Sequence, residues 1–295
     1  MKRDPLAYAA LLVLATIWGY NWVVIKIATH DADPFSVSAL RSVVGTLCLF
    51  AALLLTRRPL RPTPVVPTLL LGLLQTTVFT LLQVLAIASG GAGKTAILAY
   101  TMPFWVVLIA GPVLHERVSR SGAAALALGA IGLALVLMPL DPGGGLASRA
   151  FALGGAIVWA ISAVYGKALR AAHKSDLLAL TAWQMLYGTV PLVLIAALVP
   201  LHVLRPTVTF WLAIAYVAVL GTALAWLLWM FILSRLNAGV AGIASLLTPV
   251  IGVIAAWVQL GERPGPLEIL GLTIIVAALV INMIPATAQP AAGVR

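Results

Sequence analysis

The sequence predicts an all-α integral membrane protein of ten transmembrane helices. They form two inverted five-helix repeats with both termini cytoplasmic. Three observations carry this prediction: a composition that only lipid can solvate, ten long apolar runs, and a pattern that returns after 146 residues. The chain is 62% hydrophobic and 9% charged, with a mean hydropathy of +1.10. A soluble domain carries about 25% charged residues, so no water-soluble fold of this length could bury so much apolar surface. The net charge of +10 would suggest nucleic acid in a soluble protein. Here it is expected from Lys and Arg at cytoplasmic membrane surfaces, and no nucleic-acid partner is expected. The long, continuous runs lack the alternation of a membrane β-barrel. Lys2 and Arg3 precede the first run as in a signal peptide. That run continues through Trp18 and Trp22 with no small-residue cleavage site, so it is read as a retained span.

A spanning helix needs about 20 mostly apolar residues. Such segments fall at 6–27, 36–56, 65–87, 94–114, 119–138, 149–169, 177–200, 207–234, 238–260 and 266–284. The breakers lie between them: Arg57-Arg58-Pro59, Gly90-Gly91, Asp141-Pro142-Gly143, Pro200 to Pro206, and Arg263-Pro264-Gly265-Pro266. The expected organisation is a first repeat at 1–140, a second at 147–286 and a flexible tail at 287–295. With the N-terminus inside, twelve Lys and Arg residues fall on the cytoplasmic side and five on the other, with Arg41 near the start of the second span. That bias sets the orientation.

The repeat aligns Gly91-Ala92-Gly93, Ile97, Pro103, Glu116-Arg117 and Pro139 with Asn237-Ala238-Gly239, Ile243, Pro249, Glu262-Arg263 and Pro285. Trp18 and Lys26 match Trp159 and Lys167 at an offset of 141, and Arg41 and Gly45 match Gln184 and Gly188 at 143. Five spans is an odd number, so the second copy enters the membrane from the opposite face. The site is then expected between the halves. Trp18-Gly19 with Asn21-Trp22, Arg41, Thr101-Met102-Pro103, Glu116-Arg117, Leu247-Thr248-Pro249 and Gly261-Glu262-Arg263 resemble the drug/metabolite transporter superfamily in its ten-span EamA-type branch. Among its members the chain is most similar to the YddG-type exporters. That resemblance implies transport of amino acids, especially aromatic ones, or of small organic cations. It also implies a bacterial inner-membrane location, alternating access, and peripheral fifth and tenth spans.

All eight acids, Asp4, Asp31, Asp33, Glu116, Asp141, Asp176, Glu262 and Glu268, fall at span ends or in loops, as do the four histidines. A facilitator without a buried-carboxylate proton relay is therefore expected, with a proton-coupled antiporter as the alternative. A membrane enzyme is disfavoured by the missing nucleophile–base or metal constellation, and a channel by bulky Trp and Tyr at the cavity. No cofactor or metal is expected. Cys48 is the single cysteine, and Gly93-Lys94-Thr95 lacks the rest of a phosphate-binding loop.

The expected substrate-binding set is neutral-polar and aromatic: Trp18, Asn21, Trp22, Gln75, Phe79, Gln83, Tyr100, Trp159, Ser162, Tyr165, Trp226, Trp229 and Ser245. Gln75, Phe79 and Gln83 are placed on one helical face by their spacing. Such walls give an amphipathic solute stacking area and orientation. Interhelical hydrogen bonding competes with a cavity role for Gln75 and Gln83, and Trp211 and Trp257 read as interfacial anchors. Pro103 and Pro249 are expected as mid-helix hinges or static bends. Arg41, Glu116, Arg117, Glu262 and Arg263 are gates or solvated caps. Gly129 and Gly132, with Gly271 and Ala278, permit close packing within the chain or in a homodimer.

Overall fold

The computed structural model describes residues 5–60, 64–114, 120–137, 145–173, 175–199, 205–235 and 238–283. All regular structure among them is helical. The first half contains α1 (Pro5–Asp31), α2 (Pro34–Leu55), α3 (Val65–Gly72), α4 (Phe79–Ser89), α5 (Ala92–Ala99), α6 (Met102–Leu114) and α7 (Arg120–Leu137). The second contains α8 (Gly145–His173), α9 (Leu177–Leu198), α10 (Val208–Ala215), α11 (Ala225–Arg235), α12 (Ala238–Leu260) and α13 (Pro266–Met283). Seven of the helical runs among the described residues are long and apolar enough to cross a membrane. Thr248–Leu260 and Pro266–Ala278 are shorter apolar stretches. Leu47, Leu54, Leu194, Leu212 and Val258 are exposed on the outside of the bundle, as suits a surface in contact with lipid. Trp211 and Trp257 are exposed there too.

Local chemistry starts the second helix of each half in the same way. Asp33 accepts from the N–H groups of Phe35 (2.9 Å) and Ser36 (3.0 Å), with Pro34 in the first turn of α2. Asp176 accepts from Ala179 N–H (3.0 Å) to cap α9. Each carboxylate satisfies donors that a helix start leaves open. The third run of each half is joined by a π-helical segment, Leu73–Val78 between α3 and α4 and Tyr216–Leu224 between α10 and α11. Val78 and Leu224 end these segments 146 positions apart. Such segments free backbone groups from the regular ladder.

The packing follows the repeat. α1 packs on α12 and α11, and α8 packs on α6 and α4. α2 meets α9, and α7 meets α13. Thr46 and Thr189, 143 positions apart, share a hydrogen bond of 3.1 Å between α2 and α9. A Cβ on Gly45 would lie 3.1 Å from Thr222, and one on Gly188 would lie 2.5 Å from Thr76. These are the same contact drawn from the two halves. Gly132 abuts the Gly271 carbonyl and Ile275. The small residues of α7 and α13 are thus used inside the chain.

The matched prolines differ in backbone setting. Pro103 stands in the first turn of α6, after a break at Tyr100–Thr101, whereas Pro249 lies inside α12. The mid-helix expectation therefore fits Pro249 and not Pro103. A proline cannot donate to the carbonyl four residues earlier. At the break the ladder tightens instead: Thr101 N–H reaches the Leu98 carbonyl (3.2 Å) and Phe104 N–H the Thr101 carbonyl (3.0 Å).

Candidate functional site

Halfway along α1, one helical face meets the π-helical segment of the other half. Trp18 Nε1 donates to the Gly221 carbonyl (3.2 Å). Its ring lies 6.1 Å from that of Trp229, tilted by 43°. Asn21 is 5% exposed, and its Oδ1 has no hydrogen-bond partner. A Cβ on Gly221 would lie 2.5 Å from that oxygen, so only glycine lets the two helices approach. An unpaired acceptor buried among apolar groups costs about 1–3 kcal/mol. The same helical face carries Trp18, whose ring neighbours that of Trp229 and supplies stacking area.

One turn on, Trp22 is buried and sits edge-on to Tyr100, with ring centroids 6.2 Å apart. The Tyr100 side chain lies close to those of Thr248 and Trp22. This second cluster ties α1 to the break after α5 and to the turn around Pro249. It belongs to a packed core with Ile25 and Ala96, so Trp22 and Tyr100 act as a wall behind the Trp18–Asn21 face.

The third-span residues go to different neighbours. Gln83 is buried and accepts from Arg41 Nη1 (2.9 Å). Phe79 lies 3.8 Å from a Cβ position on Gly155 of α8. Gln75 falls within the π-helical segment and is half-buried. Phe79 and Gln83 share regular α4, whereas Gln75 lies in the π-helical segment before it.

In α8, Trp159 is half-buried and Ser162 is buried, its hydroxyl returned to the Trp159 carbonyl (2.7 Å). Tyr165 donates to the Pro67 carbonyl (3.2 Å) and acts as a strut to α3. Trp226 packs with Phe50 and Met185 against α2 and α9, away from Trp229. The side chain of Ser245, and Glu116 with Arg117, lie outside the described residues. Sequence reasoning missed Thr76, and it noted Gln184 and Gly221 only as matched positions without giving them contacts. The signals were faint: a glycine inside an apolar run, and threonines at matched positions. Thr76 donates to Gln184 Oε1 (3.0 Å), and Thr77 to the Gly188 carbonyl (2.7 Å).

Glu262 does not stand free at a span end. It caps α5 by accepting from Ala92 N–H and Gly93 N–H, each at 2.9 Å. Arg263 is exposed. Both border a cavity of about 400 Å³ at this end of the bundle, with Lys94, Arg149 and Glu268. Lys94 pairs with Glu268 at 2.8 Å. The cavity is separate from the Trp18–Asn21 face. Among the described residues, no group of three or more His, Cys, Asp or Glu could hold a metal ion.

A lipid-facing helical bundle, with interrupted helices meeting at buried amides and indoles, has the construction of a multi-pass membrane transporter. The chain belongs to the EamA-like transporter family, whose profile matches residues 5–138 and 148–284. It is 30% identical over 288 residues to the probable amino-acid metabolite efflux pump of Salmonella typhimurium, covering 94% of each chain. It is 28% identical over 284 residues to the inner membrane transporter YedA of Escherichia coli, covering 93% of this chain and 89% of that one. A solved crystal structure shares the fold with a TM-score of 0.68 at 18% identity, over 95% of this chain and 96% of that one.

Proposed function

We propose that the protein is an inner-membrane exporter or facilitator of amino acids and related small metabolites. It works by alternating access between two inverted five-helix halves, with ten spans and both termini cytoplasmic. The carrying observation is the unequal setting of equivalent prolines within matched packing: α5 and α6 are broken before Pro103, while α12 runs through Pro249. Two similar halves in different backbone states are what an exchange of conformations requires. The repeated pairings, α1 with α12 and α8 with α6, support the inverted arrangement. The relative named as an amino-acid metabolite efflux pump supports the substrate class. The Trp18, Asn21 and Trp229 cluster offers an apolar solute body stacking area and one acceptor. Trp22 and Tyr100 back this cluster, and Gln75, Phe79, Gln83, Trp159, Ser162, Tyr165, Trp226 and Ser245 are proposed to contribute elsewhere along the transport path.

A second reading, a proton-coupled antiporter, is favoured by Glu268, a carboxylate 4% exposed at the start of α13. Flux of labelled amino acids in liposomes, with and without an imposed pH difference, separates the two. The facilitator gives downhill flux that is indifferent to the pH difference. Accumulation only under a pH gradient selects the antiporter, and no flux of any amino acid removes the substrate class. Pro249→Ala restores an N–H in α12. It should lower maximal flux several-fold at unchanged half-saturation; an unchanged maximal flux rejects the hinge.

A further inference from the structure

We propose that Glu262, with Lys26 bracing the α4–α5 junction that it grips, forms a latch between the halves that holds this end of the bundle closed and must release for it to open. The inference rests on the transporter reading and assigns its gate. Lys26, on α1, donates to the Ile87 carbonyl (2.8 Å) and the Gly90 carbonyl (2.6 Å) at the end of α4. Glu262, after α12, binds the first N–H groups of α5. Cation and anion thus sit at the matching dipole ends of two helices that meet at Gly90-Gly91.

The sequence builds the contact from small parts. Gly261 has φ +71°, a left-handed turn that suits glycine, and Glu262 N–H returns to the Ala256 carbonyl (3.2 Å). This turn aims the carboxylate at α5. A Cβ on Gly91 would lie 2.7 Å from Glu262 Oε2, so glycine there leaves room for the carboxylate. The partners are 170 residues apart and belong to different halves. Other cross-half ties cluster at the same end: Lys94 with Glu268, Tyr20 with Gln259 (2.7 Å), and Thr207 with Asp31. The cavity beside Glu262 lies between α5 and the α12–α13 connection. Parting these elements would widen it into an opening.

The test uses spin labels on Ser89→Cys and Leu267→Cys in a Cys48→Ser background, with the full chain in liposomes. The reference chain should give mainly one short distance. Glu262→Gln, which loses one acceptor and the charge, should raise the population of a longer distance several-fold. Glu262→Asp, which keeps the charge, should fall between. Gly91→Ala, which evicts the carboxylate sterically, should act like Glu262→Gln and serves if that variant folds poorly. Unaltered distances in both Glu262→Gln and Gly91→Ala overturn the latch. Amino-acid flux measured on the same liposomes keeps the two readings apart. Flux with unaltered distances rejects the latch alone, whereas a lengthened distance with no flux in the reference chain rejects the transporter reading alone.

Discussion

Gly221→Ala should reduce transport by about tenfold or more while leaving a folded protein. The added methyl would sit 2.5 Å from Asn21 Oδ1, so α1 and the π-helical segment must separate or the amide must turn. Either response lengthens the bond from Trp18 Nε1 to the Gly221 carbonyl, now 3.2 Å, and moves the Trp18 and Trp229 rings apart. The effect belongs to the site, because Gly221 contacts the candidate substrate-binding face and the surrounding core is made by other residues. Liposome flux combined with tryptophan emission gives the result. Flux within twofold of the unmodified chain would remove this face from the transport path.

Gly188→Ala should cost stability instead, by about 1–3 kcal/mol, the range for overpacking a close contact. A methyl there meets Thr76 Cβ at 2.5 Å and the Gly72 backbone carbon at 2.9 Å. Little can give way, since Gly72 presents backbone and Thr76 is fixed by its bond to Gln184. The melting midpoint in detergent should fall by several degrees. Gly166→Ala, whose methyl would reach only ordinary contact with Leu71 at 3.5 Å, should leave it in place. Equal midpoints for the two variants would show that the α3–α9 crossing tolerates separation.

These two glycines mark where the sequence stops being readable. Helix positions were legible because apolar length and Gly/Pro punctuation are local. The expected segments at 36–56 and 177–200 sit within one or two residues of Pro34–Leu55 and Leu177–Leu198. The face of α1 bearing Trp18 and Asn21 was legible from helical spacing alone. Arg41 and Gln83 were each singled out, but their mutual bond was not, because it depends on how α2 and α4 pack. The π-helical segment that holds Gln75 left no mark in the apolar pattern, because its residues read like those of any membrane helix. Glu262 reads as a solvated cap from its place at a span end, yet its donors come from 170 residues away. Gly221 gave only a faint signal, since glycines are common in membrane helices and nothing nearby in sequence records Asn21.

The hydrogen bond between Thr46 and Thr189 joins a residue to its own counterpart. That relation is the mark of an isologous interface, in which one surface is complementary to itself. Under the proposed inverted arrangement, the halves meet as the subunits of a two-fold dimer would, with covalent linkage fixing their stoichiometry. Substitutions divide accordingly. A change at Thr46 alters a contact that occurs once. A change in the Gly45–Thr222 contact leaves its twin, Gly188–Thr76, intact in the other half. Off-axis pairs are therefore free to differ, as Asn21 and Ser162 do.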